Sequence, residues 1–339
     1  MSFNRPEQSG PLSGFSAFDT LPWFLNFPMG MFTGGLRLAS FVLPGADSQT
    51  KEMQNQLHAV EWFALAEQRS PRPPSSSLAG WLARADSIEL DHRPWTTEGI
   101  AFYAAREEFK KGPRKGWLIQ DSPEWTRTVL HTGLGMALAE LTLTSLPNRQ
   151  KMAEAIAAFS SLCITNSQPG YEGCALESIG LYACHMHGAR VQEFDRLLAD
   201  GAPDLREYFW HGFGRGSYLS PGNCMPWSGS GWRAIEAASA AAPDAVARRN
   251  AISGASWAFA LVNLRTPDVM ERFLKEHEAW VRREPAFADG VRSALMVWRQ
   301  LQPQDPPFRR LESILSRYFN PVKVRESRGP TFRFDTQAD

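Results

Sequence analysis

The chain has 339 residues, 43% of them hydrophobic, with 36 Lys plus Arg against 36 Asp plus Glu. That length supports a substantial core and exceeds the usual compact domain, unless a repeat architecture carries it as one unit. The zero net charge argues against a polyanion partner, so nucleic-acid binding is set aside.

The first ten residues, "MSFNRPEQSG", are polar and no apolar signal segment follows them directly. Cys163, Cys174, Cys184 and Cys224 are therefore expected as free thiols in a cytoplasmic protein rather than as two disulfides. Residues 15–45 are apolar and aromatic, but Pro22, Pro28, Pro44, Asp19, Asn26 and Arg37 interrupt them. A membrane span needs about 20 continuous apolar residues, so none is expected. Residues 1–50 read as an aromatic N-terminal arm, packed on the body or presented to a partner.

Met53, Leu57, Val60 and Phe63 or Ala64 recur at helical spacing and predict a helix over 51–69. "SPRPPSSS" (70–77) is a Pro/Ser linker, so 51–77 form a helix-and-linker segment. Residues 78–319 read as one helical-repeat domain. Beyond about 320 the periodicity is lost, and 320–339 read as a loose C-terminal tail.

The repeat shows as six segments with a polar residue, a glycine and a small or apolar run. The glycines are Gly99, Gly133, Gly173, Gly212, Gly254 and Gly290, separated by 34, 40, 39, 42 and 36 residues. That period suits stacked two-helix units. Second helices are expected over 148–162, 190–200, 266–284 and 306–319. No stretch alternates with β-branched enrichment. The fold class is thus all-α: about six stacked helical hairpins in an α/α superhelix or toroid.

Glycine inside a helix costs roughly 1 kcal/mol against alanine, so a compensating role is expected. Two readings stand: close approach of neighbouring helices, or backbone N–H groups facing a ligand cavity. The residues before the glycines are Glu98, Thr132, Glu172, His211, Ser253 and Asp289. Thr132, Ser253 and Asp289 are read as N-caps. Glu98, Glu172 and His211 are not favoured caps, and in stacked repeats they would converge on one rim.

"YEGCALESIGLYACHMHG" (171–188) reads as one scaffold helix whose start, Glu172, is the functional end. His185 and His187 are two residues apart and so point to opposite sides of a helix. With no metal motif around them, no metal site is predicted. "EYFWHGFGRGSYLSPGN" (207–223) sets His211, Arg215 and Tyr218 among glycines, with Arg215 four residues after His211 and on its face. His211 could move a proton and Arg215 hold an oxygen atom. The alternative is a buried Arg215 paired with a carboxylate of a neighbouring unit, such as Glu172 or Glu177. Without a preceding strand, "GFGRGS" is no dinucleotide site, and no cofactor is implied. Trp210, Trp227, Trp232 and Trp257 lie near the glycine motifs, where they pack between helices or wall an apolar cavity.

Five stretches resemble, in order, an uncharacterised bacterial family of accessory proteins found in enediyne polyketide gene clusters. They are "EGIAFYAA" (98–105), "HTGLGMALAEL" (131–141), "GYEGCALESIGLY" (170–182), "HGFGRGSYL" (211–219) and "SGASWAFAL" (253–261). The G-x-G-R stretch, with Gly212, Gly214 and Arg215, is the most specific, and His131, Gly133 and Gly135 match a second signature. The histidine expected in the third signature is missing. The resemblance implies a role in making a hydrophobic, polyene-derived secondary metabolite; it supplies no reaction.

Two function classes follow. In the first, the protein holds an apolar substrate and catalyses proton-transfer cyclisation, isomerisation or dehydration. Glu172 is then the acid/base, His211 its partner and Arg215 the oxyanion stabiliser. Glu98, His131, Trp210, Tyr218 and Trp257 contact the substrate. In the second, the protein is a non-catalytic helical-repeat scaffold that binds a partner protein, through the 15–41 arm.

Overall fold

The computed structural model describes residues 46–64, 66, 82, 88–90, 92–112, 115–117, 122–220, 223, 229–301 and 306–318. The 15–45 arm, the 70–77 linker, the 320–339 tail, Cys224 and Trp227 lie outside these residues. The described residues form helices and contain no strand, so the protein is all-α. None of these helices is long and apolar enough to cross a membrane.

Helix α1 spans Ala46–Ala64, five residues earlier than the apolar spacing suggests, and α2 spans Arg93–Lys110. Then follow α3 (Arg127–Leu143), α4 (Arg149–Asn166), α5 (Glu172–Leu176), α6 (Ser178–Met186), α7 (Val191–Gly201) and α8 (Pro203–Leu219). The rest are α9 (Ser230–Ala241), α10 (Ala245–Asn263), α11 (Pro267–Glu276), α12 (Glu278–Val281), α13 (Pro285–Leu301) and α14 (Pro306–Leu315). The expected helix over 171–188 is broken at Glu177, and the one over 266–284 is broken at His277.

The glycine-bearing helices pack on one another in succession: α1 on α2, α2 on α3, α3 on α5 and α6, α6 on α8, α8 on α10, and α10 on α13. Neighbours run in the same direction. Gly133 faces Glu98 and, further along, Glu140 approaches Arg106; Glu177 faces Gly212 and, further along, Cys184 faces Gly216. Helices α4, α7 and α9 pack on the outside of this series.

The glycines are not at helix starts. Gly99, Gly133, Gly212, Gly254 and Gly290 lie well inside their helices, and only Gly173 is near a beginning. Thr132, Ser253 and Asp289 are therefore not N-caps; Asn148 and Asp244 cap instead, accepting from Lys151 N and Ala247 N. Close approach explains the glycines. A β-carbon on Gly133 would run into the Glu98 carbonyl, on Gly212 into that of Glu177, on Gly254 into that of His211. Helix backbones thus touch where side chains elsewhere hold them 8–10 Å apart. The cost of glycine in a helix is offset by this contact.

One consequence is a core holding both aromatic and ionisable groups. Phe102, Phe159, Phe194, Phe209, Trp210, Phe259 and Phe287 are fully buried, and so are His131, His211 and Arg215.

Candidate functional site

Helix α8 carries the centre of the site. His211 and Arg215 share a face at a spacing of four. Gly212 and Gly214 open two other faces, so that the Glu177 carbonyl presses on one and the Ala251 carbonyl on the other. Arg215 is thereby held between the break that separates α5 from α6 and the face of α10 that bears Trp257.

Arg215 is only 1% exposed. Its guanidinium donates to Glu177 Oε1 and lies 3.7 Å from Glu98 Oε1 on α2. The guanidinium carbon lies 4.2 Å over the Trp257 ring. His211 Nδ1 is 2.6 Å from Glu177 Oε2. The carboxylate accepts, so the imidazole is assigned the tautomer with its proton on Nδ1. Glu177 thus bridges His211 and Arg215, while Glu98 approaches the same guanidinium from another helix.

The two carboxyl groups titrate in opposite directions. Burial pushes Glu98 up to about 7, with Arg215 pulling it down and Glu177 pushing it up. Burial also opposes ionisation of Glu177, but Arg215 and His211 overcome it and hold that group below the ordinary range. Direct contact with the guanidinium and imidazole makes the difference. Near pH 7 the site therefore holds a carboxylate beside a carboxyl group that can give up a proton. Burial raises Cys174, on α5, well above the usual thiol range.

The structure brings together Glu98, His211, Arg215 and Trp257 and leaves the other sequence candidates elsewhere. Glu172 is half-buried at the start of α5 and accepts from Gly170 N at 2.8 Å. Glu177 takes the place expected for it beside His211 and Arg215. His131 is a core histidine: Nδ1 is 2.6 Å from the Arg127 carbonyl, and Nε2 accepts from Gln168 N at 2.9 Å. Its ring stacks on Tyr171, and burial lowers it to about 4. Both nitrogens are engaged with backbone and lie apart from the Arg215 cluster. Trp210 donates from Nε1 to Asp195 Oδ1 at 2.7 Å and packs on Phe209 and Phe213. Tyr218 belongs to a second polar cluster, where its hydroxyl accepts from Asn263 Nδ2 at 2.8 Å. Trp232 stacks on His277 on the outer side of α10. Of the tryptophans singled out by sequence, Trp210, Trp232 and Trp257 are described and do not gather in one place; among the described residues it is Trp257 that stacks on Arg215.

Cys163, Cys174 and Cys184 are free thiols. Among the described residues no group of three or more His, Cys, Asp or Glu side chains is placed to hold a metal ion. His187 Nε2 is 2.7 Å from the Leu143 carbonyl.

Glu177 and Glu52 are the ionisable residues that the glycine pattern passed over. Glu177 is the one charge in "CALESIGLY", and a lone charge in an apolar helical run needs a buried partner. That signal was available, and Glu177 was one of two partners expected for a buried Arg215. Comparisons with family models, curated proteins and solved structures find no match to this chain.

Proposed function

We propose that Glu98, Glu177, His211 and Arg215 form the acid/base centre of a cytoplasmic enzyme of secondary-metabolite biosynthesis. Its substrate is an apolar, polyene-type or polyketide-derived molecule, and its reaction a proton-transfer cyclisation, isomerisation or dehydration. About six stacked hairpins, in a superhelix or a closed toroid, would carry the centre. The observation that supports this reading is the gathering of four ionisable side chains from three segments, with Glu98 and Glu177 on the buried Arg215 guanidinium and His211 on Glu177. Packing does not demand it, since apolar residues of similar volume commonly stabilise a core as well or better. Two carboxyl groups pushed apart in pKa on one cation are a recurring acid/base arrangement. Glu98, protonated near neutral pH, is the acid. Glu177 holds His211 and Arg215 in place, and Arg215 stabilises charge that develops on the substrate.

The scaffold reading draws on the same contacts. Glu177, His211 and Arg215 pair with one another, as a purely structural core would require. A metabolite comparison separates the two. The producing organism is grown with the gene intact, deleted, and restored as Glu98→Gln, with folding of the purified variant checked by circular dichroism. Loss of one product on deletion, with a precursor accumulating and no rescue by folded Glu98→Gln, is the expected result. Full rescue by Glu98→Gln, or a metabolite profile unchanged by deletion, would overturn the acid/base reading and favour the scaffold.

A further inference from the structure

Helix α4 packs on the outside of the series, yet most of it is uncharged. Arg149, Lys151 and Glu154 lie near its start, and residues 155–166 carry no charge. An outer helix ordinarily turns a charged or polar face to solvent. Here the exposed face carries Ala153, Ala157, Ser161 and Ile164, at spacings of four, four and three. Ile164, at 53%, is the most exposed large apolar side chain among the described residues. The neighbouring Thr165 hydroxyl is turned back on its own helix and donates to the Ser161 carbonyl at 2.8 Å.

This face is one wall of a groove of about 560 Å³. The other wall is the end of α7, with Gly201, and the start of α8, with Leu205. The described residues that line it are all uncharged and mostly small, and a β-carbon on Gly201 would meet open space. A groove of this kind has room for bulky rings and offers nothing to pair a charge. The chain itself contains a segment of the matching chemistry. Residues 15–32, "FSAFDTLPWFLNFPMGMF", hold six aromatic side chains and one charge, Asp19. So much apolar surface is stable in water only against another apolar surface.

We propose that the groove between α4 and the α7–α8 corner receives the aromatic segment 15–32 of the same chain. The reach suffices. Gln56 on α1 donates to the Tyr218 carbonyl at one end of α8, and Leu205 lines the groove at the other end. At 1.5 Å per residue those two points are about 20 Å apart along α8, and α1 adds at most about 15 Å between Gln56 and Ala46. An extended chain covers about 3.3 Å per residue, so Phe32 can lie up to about 45 Å from Ala46 and Trp23 up to about 75 Å. Trp23, Phe24 and Phe27 therefore reach the groove with chain to spare. A segment seated there covers its aromatic surface on its own body instead of presenting it to a partner protein.

The test uses the full chain with p-benzoylphenylalanine in place of Phe24, photolysed as an equal mixture of 15N-labelled and unlabelled protein. Mass spectrometry reads the crosslinked peptides. Crosslinks within one chain from residue 24 to residues 153–165 or 201–205 are the expected result. A second measurement needs no crosslinker: limited chymotrypsin digestion, followed by the rate of cutting after Trp23, Phe24 and Phe27. Ala157→Glu puts a charge into the groove at an exposed position, so the fold is kept, as circular dichroism would verify. Cutting in this variant should be about tenfold faster or more, because docking of two or more aromatic rings is lost. Met296→Trp, at an exposed position on α13, should leave the rate unchanged. Crosslinks to other surfaces, no crosslinks, or equal cutting in wild type and Ala157→Glu would each overturn the proposal. Crosslinks that join labelled to unlabelled chains would also overturn it and give the groove to a second copy.

Discussion

Glu98 on α2 and Glu52 on α1 are buried carboxyl groups in adjacent helices, and burial pushes both up to about 7. Their surroundings are nevertheless built differently. Glu52 Oε1 accepts from Gly231 N at 2.7 Å and from the Tyr218 hydroxyl at 3.5 Å, and Arg272 lies 3.6 Å from Oε2. Tyr218 is held in turn by Asn263, Asn263 accepts from Asn55 at 2.9 Å, and Gln56 donates to the Tyr218 carbonyl at 3.0 Å. This network ties α1 to α8, α9, α10 and α11. Among the described residues Glu98 has no such set; its polar neighbour is a guanidinium at 3.7 Å that is already committed to Glu177. A carboxyl group held by hydrogen bonds from two helices and an ion pair from a third serves as a pin. A carboxyl group left with one shared cation lacks that restraint.

The largest expected effect separates the two clusters most sharply. Glu177→Ala removes the direct partner of the buried Arg215 guanidinium and leaves only Glu98, 3.7 Å away, to balance it; breaking a buried pair in this way costs about 3–5 kcal/mol of stability. Urea unfolding would show this as a lowered midpoint. A loss below about 1 kcal/mol would mean that water reaches Arg215 and that the contrast with the Glu52 cluster is wrong.

Next in size, counted per group, is the pH effect of the two raised carboxyl groups. Folded, each keeps its proton up to about 7; unfolded, each loses it near 4.5. The folded state therefore binds more protons between these values. The contribution is complete below about 4.5 and is lost as pH rises through about 7, by up to about 3 kcal/mol per group. Thermal unfolding from pH 4.5 to 8 should show stability falling over that window, and the double variant Glu52→Gln/Glu98→Gln should flatten the fall. An unchanged slope in the double variant would assign the titration to other groups. Glu177 acts in the opposite sense, adding stability above its ordinary range that is lost on acidification.

The smallest effect concerns the glycine contacts that place the site. Gly254→Ala drives a methyl group into the His211 carbonyl, whereas a methyl on Gly188 meets open space. Overpacking of that kind costs about 1–3 kcal/mol, while Gly188→Ala should stay within about 0.5 kcal/mol of wild type. Equal denaturation midpoints for the two variants would remove close backbone approach as the reason for the glycines.

Much of this architecture was legible in the amino-acid sequence. Apolar spacing near 3.6 and the lack of two-residue alternation determined an all-α protein, because burying one face of a helix leaves that period in the chain. The 34–42-residue recurrence of glycines marked which helices pack through their backbones. The i, i+4 spacing of His211 and Arg215 put them on one face whatever the surrounding fold. Tertiary structure decided what those side chains meet. Glu172 and Glu177 are five residues apart, and only the break between α5 and α6 turns the second toward α8 and leaves the first at a helix start. The break coincides with the point where the Glu177 carbonyl presses on Gly212. His131 shows the same limit. It has the residue type of a catalytic group, and its buried contacts with the Arg127 carbonyl and Gln168 N make it part of the scaffold. Periodicity is a property of one helix and is written into its own residues. The pairing of charges across three helices depends on contacts between residues 38 and 117 positions apart, Glu177 with Arg215 and Glu98 with Arg215, and no local pattern encodes those.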